Sequence, residues 1–221
     1  MKKHYNVDPA QKWDYENGFY LTCEQGRLGK LFNQIEIYKK ILHLPGDVLE
    51  FGVYKGASLM RLLSFRHFFE SEEARKIIGF DIFGKFPDQL QHDIDKQFVD
   101  WFENEGGLGI HHDTLSDLIK AKNIGNFELV PGDINLTAKE YAAAHPAQKI
   151  ALLHIDVDVY EPAKVILETF WDRVVSGGII MLDDYAYEYG ETLAVDEFFK
   201  EKNVKIEKPP YNFIPTYIVK P

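Results

Sequence analysis

Apolar residues recur along the chain in two alternating rhythms. Leu28, Leu31, Phe32, Ile35, Ile37, Tyr38, Ile41 and Leu42 follow helical spacing until Leu44-Pro45-Gly46 ends the run. Val48-Leu49-Glu50-Phe51 then reads as a strand, Ala57 to Phe69 as a helix, Lys76 to Asp81 as a second strand and Phe127 to Val130 as a third. An extra amphipathic segment runs from about Asp88 to Phe102. Ile150 to Ile155 is short and almost wholly apolar, as a strand buried on both faces is. Glu161 to Val175 fills a crossover helix, Gly177-Gly178 is expected to turn the chain, and Ile179 to Leu182 makes a fifth strand. After a helix over Leu193 to Phe199, Val204 to Ile206 and Phe213 to Val219 stand too close together for a crossover and are predicted to form an antiparallel hairpin. The alternation predicts an α/β fold, a mostly parallel sheet with helices on both faces.

Ligands of open α/β sheets bind beyond the carboxyl ends of the strands. Here those ends carry Glu50, Asp81, Asp133, Asp156 with Asp158, and Asp183 with Asp184. A single Asp after a strand is ordinarily a turn residue, but five successive strand ends with carboxylates ask for more. The first loop, Glu50-Phe51-Gly52-Val53-Tyr54-Lys55-Gly56, has Glu50 where the dinucleotide fingerprint opens with glycine, which counts against a pyrophosphate ligand. Its glycines let a ligand approach the backbone, and the following helix N-terminus favours an anionic group such as an amino acid's carboxylate. Glu50 would suit an ammonium, Asp81 the two hydroxyls of a ribose, and Asp133 an adenine edge. Amino acid, ribose and adenine together describe S-adenosylmethionine, on a loose pattern.

Asp183 follows Asp156 by 27 positions, the length of one strand-helix-strand unit, so the two belong at the same end of adjacent strands. With Asp184 they bring three carboxylates to one point, a donor set that selects a hard cation such as Mg²⁺. The plainer alternative makes Asp183-Asp184 a solvated turn and Asp156 a cap.

LEFGVYKGASLMRLL (residues 49–63), GFDIFGKFP (79–87), LLHIDVDVYEPAKVILETF (152–170) and GGIIMLDDYAYEYGETLAVDEFF (177–199) resemble the macrocin O-methyltransferase family of bacterial sugar O-methyltransferases. The similarity covers roughly residues 20 to 200, with Tyr54, Lys55 and Val157 departing from the family's usual residues. The resemblance implies a class I methyltransferase with a Rossmann-like sheet that uses S-adenosyl-L-methionine and Mg²⁺ to methylate a sugar hydroxyl. It implies metal ligands at Asp156, Asp183 and Asp184, a general base at Asp158, and a catalytic centre formed by Asp158 and Asp156. Cofactor contacts are implied at Glu50, Phe51, Gly52, Val53, Tyr54, Gly56, Ser58, Asp81 and Asp133, with Asp156 bordering the cofactor.

Charge narrows the partners. The 221 residues hold 25 Lys+Arg against 35 Asp+Glu, a net charge of −10, which speaks against nucleic acid. No run approaches the ~18 apolar residues of a membrane span, Met1-Lys2-Lys3 has no apolar region after it, and Cys23 is the single cysteine. A soluble, cytoplasmic protein is expected, acting on a small sugar-containing molecule and forming a homodimer. Residues 1–23, with Trp13, Tyr15, Phe19 and Tyr20, are expected to act as a lid or subunit contact, and residues 24–221 as a single methyltransferase domain.

Competing readings are a glycosyltransferase built on the D-x-D of Asp156-Val157-Asp158, an NAD-dependent oxidoreductase, and a non-catalytic module holding a structural cation. The adjacent side chains of His111 and His112 are expected to diverge in a loop before a helix starting near Asp113-Thr114, without a third metal ligand. His154 is expected to be a core histidine, or to stack beside the cofactor. Tyr185, Tyr187 and Tyr189 are placed to wall an acceptor pocket or simply to pack.

Overall fold

The structure is a computed structural model that describes residues 3–87, 90 and 92–221. Seven strands, β1 (Asp47–Phe51), β2 (Ile77–Asp81), β3 (Phe127–Pro131), β4 (Ile150–Ile155), β5 (Val174–Leu182), β6 (Ile206–Glu207) and β7 (Thr216–Val219), form one sheet in the order β3-β2-β1-β4-β5-β7-β6. The first five are parallel, and β7 runs antiparallel to both β5 and β6. Strand order reverses between β1 and β4, so a crevice opens beyond their carboxyl ends. Eight α-helices are described: α1 (Lys12–Thr22), α2 (Gln25–Lys39), α3 (Ala57–Phe69), α4 (Asp93–Glu105), α5 (His112–Ala121), α6 (Ile134–Ala144), α7 (Tyr160–Phe170) and α8 (Tyr189–Phe199).

Side-chain alternation divides the core into two layers. Leu49, Phe51, Leu153 and Ile155 pack with Ala138 and Tyr141 of α6, Ile166 and Phe170 of α7 and Val195 of α8. Val48, Leu152, Ile179 and Met181 pack on the opposite face with Ile37 of α2, Leu59 and Leu62 of α3 and Leu115 of α5. On that second face the alternation continues beyond the apolar residues. Glu50 follows Val48, His154 follows Leu152 and Asp183 follows Met181, and strand register sets Glu50 beside His154 and His154 beside Met181. A row of polar side chains therefore crosses three strands where the sheet opens into the crevice.

Several expected boundaries shift. The crossover helix ends at Phe170, a 3-10 turn covers Trp171–Arg173, and β5 starts at Val174. Gly177-Gly178 lies inside β5 rather than turning the chain. Gly177 takes a φ of +78° and its amide bonds Lys220 O at 2.8 Å, while Lys220 N bonds Gly178 O at 2.8 Å. The glycines thus absorb a register irregularity that β5 shows against β4. The last two strands are shorter than expected, and α6 was not anticipated. Asp88, where the amphipathic segment was expected to begin, lies outside the described residues, and the helix itself starts at Asp93. The N-terminal aromatic segment is largely helical, and α1 buries no residue.

Candidate active site

A cavity of about 520 Å³ opens at the carboxyl edge of the sheet, lined by residues from every loop that follows β1 to β5. Each of those loops bends through left-handed backbone: Tyr54 after β1, Phe83 after β2, Gly132 after β3, Asp158 after β4 and Ala186 after β5 all have positive φ. Four of the five are not glycine, a cost that tends to gather at functional sites.

The turn after β1 fits against its neighbours. Gly52 has φ +91°, and a Cβ there would lie 1.6 Å from the Asp156 carbonyl oxygen. Asp81 braces the turn, with Oδ2 accepting the amides of Val53 at 2.8 Å and Tyr54 at 2.9 Å while Oδ1 accepts the Phe83 amide. Three of its four lone-pair sites are thereby filled, and the one left on Oδ1 is what a ribose hydroxyl could use. Asp133 caps α6 through a 2.9 Å bond from the Asn135 amide, and both residues line the cavity. Gly52, Val53, Tyr54 and Ser58 also line it, whereas Glu50, Phe51 and Gly56 do not. Phe51 belongs to the core, stacked on Phe80 with ring centroids 4.3 Å apart. Gly56 ends the turn with φ +84° and leaves no room for a Cβ beside Leu115. Glu50 is fully buried, bonded to His154 and with a carboxylate oxygen within 4.8 Å of Asp156. These three support the turn from behind the cavity wall rather than lining it.

The acidic centre assembles at the ends of β4 and β5. Asp156, Asp183 and Asp184 each offer an oxygen within 4.8 Å of the others. Asp183 and Asp184 are buried, while Asp156 and Asp158 keep part of their surface open. Burial, then the Asp183 charge, raises the Asp156 pKa; burial and Asp158 do the same to Asp184. Burial would raise Asp183 too, but Lys30 and His154 outweigh it and hold that carboxyl below the ordinary range.

His154 lies between two carboxylates, its Nδ1 3.2 Å from Glu50 Oε1 and its Nε2 3.4 Å from Asp183 Oδ1. Although burial opposes the charge, those two bonds push its pKa up to about 10, so it is an imidazolium at neutral pH. The core position expected for His154 is correct, and its role is a charged bridge from β1 to β5. Lys30 of α2 closes the chain of charges with an ion pair to Asp183 Oδ2.

Asp158 does not continue the extended backbone of β4. With φ +63° it is the apex of a γ-turn closed by Val159 N to Val157 O at 2.6 Å, and its own carbonyl accepts the Glu191 amide at 3.1 Å. Burial, then Asp156, raises its pKa. Glu191, fully buried on α8, accepts the Asp184 amide at 3.1 Å. Asp184 Oδ2, Glu50 Oε2 and Glu191 Oε2 are buried without a hydrogen-bond partner among the described residues.

Sequence reasoning missed Lys30, Glu191 and the basic side chains of Arg27 and Arg61 that line the cavity. A faint signal for Lys30 was its neighbour Gly29, costly inside a helix, where a Cβ would meet Tyr211 O at 2.5 Å. Of the tyrosine run only Tyr187 lines the cavity; Tyr185 donates to Asp196 at 2.9 Å and Tyr189 is exposed at the start of α8. None of residues 3–23 lines it.

This strand order and crevice define the class I methyltransferase fold. Residues 14–213 match the model of the Macrocin-O-methyltransferase (TylF) family, and the chain belongs to that family. It aligns at 26% identity over 152 residues with 8-demethyl-8-(2,3-dimethoxy-alpha-L-rhamnosyl)-tetracenomycin-C 4'-O-methyltransferase of Streptomyces olivaceus, covering 66% of this chain and 55% of the relative. Demethyldecarbamoylnovobiocin O-methyltransferase of Streptomyces niveus is 25% identical over 165 residues, 71% of this chain and 59% of the relative. The chain thus spans somewhat over half the length of the curated relatives it matches. Its fold is similar to that of the calicheamicin methyltransferase CalS11, with a TM-score of 0.72 at 25% identity over 96% of this chain and 86% of the other. The O-methyltransferase NovP shares the fold with a TM-score of 0.73 at 19% identity, over 87% and 79% of the two chains. No described helix is long and apolar enough to cross a membrane.

Proposed function

We propose that the protein is an S-adenosylmethionine- and Mg²⁺-dependent O-methyltransferase that methylates a hydroxyl of a (deoxy)sugar on a nucleotide sugar, a glycan or a glycosylated natural product. The observation that carries this reading is that one cavity is lined both by the braced glycine turn with Asp81 and Asp133 and by the carboxylates of Asp156, Asp183 and Asp184. Two relatives are named as O-methyltransferases, one of a rhamnosyl-tetracenomycin and one of demethyldecarbamoylnovobiocin. The family argues against a glycosyltransferase, an oxidoreductase or a non-catalytic module.

The residues fit a divalent cation. Six carboxyl groups, Glu50, Asp156, Asp158, Asp183, Asp184 and Glu191, meet three positive charges, Lys30, His154 and Arg61, and buried oxygens of Asp184 and Glu191 lack partners. Asp156, Asp183 and Asp184 would hold the ion. Mg²⁺ supplies Lewis acidity that lowers the acceptor's pKa, and S-adenosylmethionine supplies the electrophilic methyl. The protein does the rest: Asp81 and the turn it braces orient the cofactor, Tyr187 walls the acceptor side, and Asp158 takes the hydroxyl proton. Its raised pKa suits a base that works near neutrality. The exposed aromatics of α1 act as a lid or as the contact with a second copy, and the protein works as a cytoplasmic dimer.

The test is turnover of labelled S-adenosylmethionine against a panel of nucleotide-linked and glycosidic sugars. EDTA should abolish product and Mg²⁺ restore it. Full activity in metal-free buffer would remove the metal from the reading, and no methylated sugar from any acceptor would remove the sugar.

A further inference from the structure

Two aromatic rings from distant segments meet at the mouth of the cavity and stay largely open to water. Tyr187, in the loop after β5, is 63% exposed, and Phe213, in the loop between β6 and β7, is 53% exposed. Both line the cavity, and their ring centroids lie 5.5 Å apart at 49°. A scattered exposed apolar residue needs no explanation, whereas adjoining apolar rings in a concave site with polar walls mark a contact surface.

The backbone under each ring is fixed at a cost. Tyr187 follows Ala186, a left-handed residue at φ +67° whose amide is held by the Thr192 hydroxyl at 2.9 Å. The Tyr187 amide closes a turn on the Asp184 carbonyl at 2.9 Å, which ties the ring to the carboxylate centre. Phe213 is held from α2. Asn33, fully buried, donates to the carbonyls on either side of it, Asn212 O at 3.0 Å and Ile214 O at 2.9 Å, and accepts the Tyr211 amide at 3.2 Å. Asn212 accepts the Phe213 amide at 2.7 Å and donates to Gly26 O at 2.8 Å. A buried amide with three backbone partners makes a rigid loop, so the Phe213 ring is exposed on a fixed support.

Depth decides what the pair touches. Asp183 is fully buried and Asp184 is 7% exposed, so an acceptor hydroxyl brought to them lies on the cavity floor, while the rings stand at its open mouth. The floor takes the polar edge of a sugar, and the mouth faces whatever that sugar carries outward. We infer that Tyr187 and Phe213 form a subsite for a flat aromatic ring joined to the acceptor sugar, an aglycone ring or a nucleobase. The inference rests on the sugar methylation proposed above and adds what the sugar is attached to. Stacking on two rings whose backbones are already fixed gains contact area at little entropic cost. A sugar without such a ring leaves the pair wet.

Calorimetric titration of the full chain, loaded with S-adenosylhomocysteine and Mg²⁺, tests this with matched acceptors. The pairs are p-nitrophenyl against methyl glycosides of the same hexoses and 6-deoxyhexoses, and nucleoside diphosphate sugars against the corresponding sugar 1-phosphates. In at least one series the aromatic member should bind about tenfold more tightly than its partner. Phe213→Ala and Tyr187→Ala, both at exposed side chains, should each cut that ratio by about threefold or more, while Tyr189→Ala, exposed but outside the cavity lining, keeps it. A preference in the glycoside series identifies the ring as an aglycone, and one in the nucleotide series as a base. No preference in any pair, a ratio unmoved by Phe213→Ala and Tyr187→Ala, or an equal loss in Tyr189→Ala would overturn the proposal. So would a Phe213→Ala variant that changes only the sedimentation coefficient, which would give the rings to a second copy. Failure of the underlying reading looks different, as no methyl transfer to either member of any pair.

Discussion

The two edges of the sheet bury charge in opposite ways. At the amino edge Arg75 donates to the carbonyls of Ile41, Leu44 and Gly46 and to both oxygens of Glu70, which also accepts the Tyr38 hydroxyl at 2.6 Å. Arg66 beside it donates to the carbonyls of Arg75, Gly125 and Asn126. Every one of these contacts ties one chain segment to another. At the carboxyl edge an imidazolium, a lysine and Arg61 face six carboxyl groups, three of them with unpartnered oxygens. A completed polar network rigidifies, whereas an incomplete one stores affinity for whatever completes it. The first edge holds the fold together and the second binds and reacts, which substitutions can separate.

The largest effect falls at Asp158. Asparagine tolerates the positive φ, so Asp158→Asn keeps the γ-turn and removes only the proton acceptor. Its chemical rate should fall by about 10²–10⁴-fold, with thermal stability and S-adenosylmethionine affinity preserved. Since the base must be ionised, kcat/KM of the parent should fall as pH drops through the raised Asp158 pKa, above the ordinary aspartate range near ~4. Saturating Mg²⁺ should move that limb to lower pH, because added positive charge favours the carboxylate. Unfolding of Asp158→Asn would make this edge structural too and dissolve the contrast.

Arg75→Met probes the other edge. It leaves the Glu70 charge buried without its partner, and should cost about 3–5 kcal/mol in denaturant unfolding. The surviving folded fraction should bind cofactor normally in calorimetry. A loss of cofactor affinity with unchanged stability would reverse the assignment of the edges.

How far the sequence revealed each edge follows from the range of its contacts. Strands buried on both faces announce themselves as apolar runs, so β4 was readable to the residue, and the carboxylates at the strand ends followed from alternation and topology. Lys30 was not readable, because its partner Asp183 is 153 positions away and their meeting depends on the close approach of Gly29 to Tyr211. The contact of His4 with His111 is equally remote, and the rings of His111 and His112 lie 4.5 Å apart rather than diverging. Asp158 lines the cavity with Asp156 through a γ-turn, which alternation along the strand does not reveal. Gly177-Gly178 carries the composition of a turn, and only its bonds to Lys220 make it part of a strand.

A smaller effect is expected at Asp81, where binding and architecture overlap. Asp81→Asn keeps one acceptor oxygen for the turn, and Asp81→Ala keeps none. Each lost charge-assisted bond is worth about 1.5–3 kcal/mol, so cofactor affinity should fall about tenfold or more in the asparagine variant and further in the alanine variant. Both variants should lose stability, the alanine variant more, since asparagine sets its amino group against the Phe83 amide while alanine leaves Val53, Tyr54 and Phe83 all without their acceptor. Unchanged affinity in both would confine Asp81 to bracing the turn.

The smallest effect, and a gain, is expected at Glu191. Burial, then the Asp184 charge, raises its pKa above the ordinary glutamate value, so its folded form ionises less readily than its unfolded form. The stability this group contributes is therefore complete below the unfolded pKa near ~4.3 and is lost as pH rises through the raised folded value. Glu191→Gln keeps an acceptor for the Asp184 amide and removes a charge that the Asp184 charge opposes. It should raise the stability of the metal-free protein by about 1 kcal/mol at pH 8 and leave it nearly unchanged at pH 4, read as the difference in Tm from the parent. Adding Mg²⁺ should shrink the gain, because the ion relieves the same repulsion in the parent. Destabilisation of Glu191→Gln at pH 8 would mean that the charge of Glu191 is already balanced without metal, and the carboxyl edge would then be as complete as the amino edge.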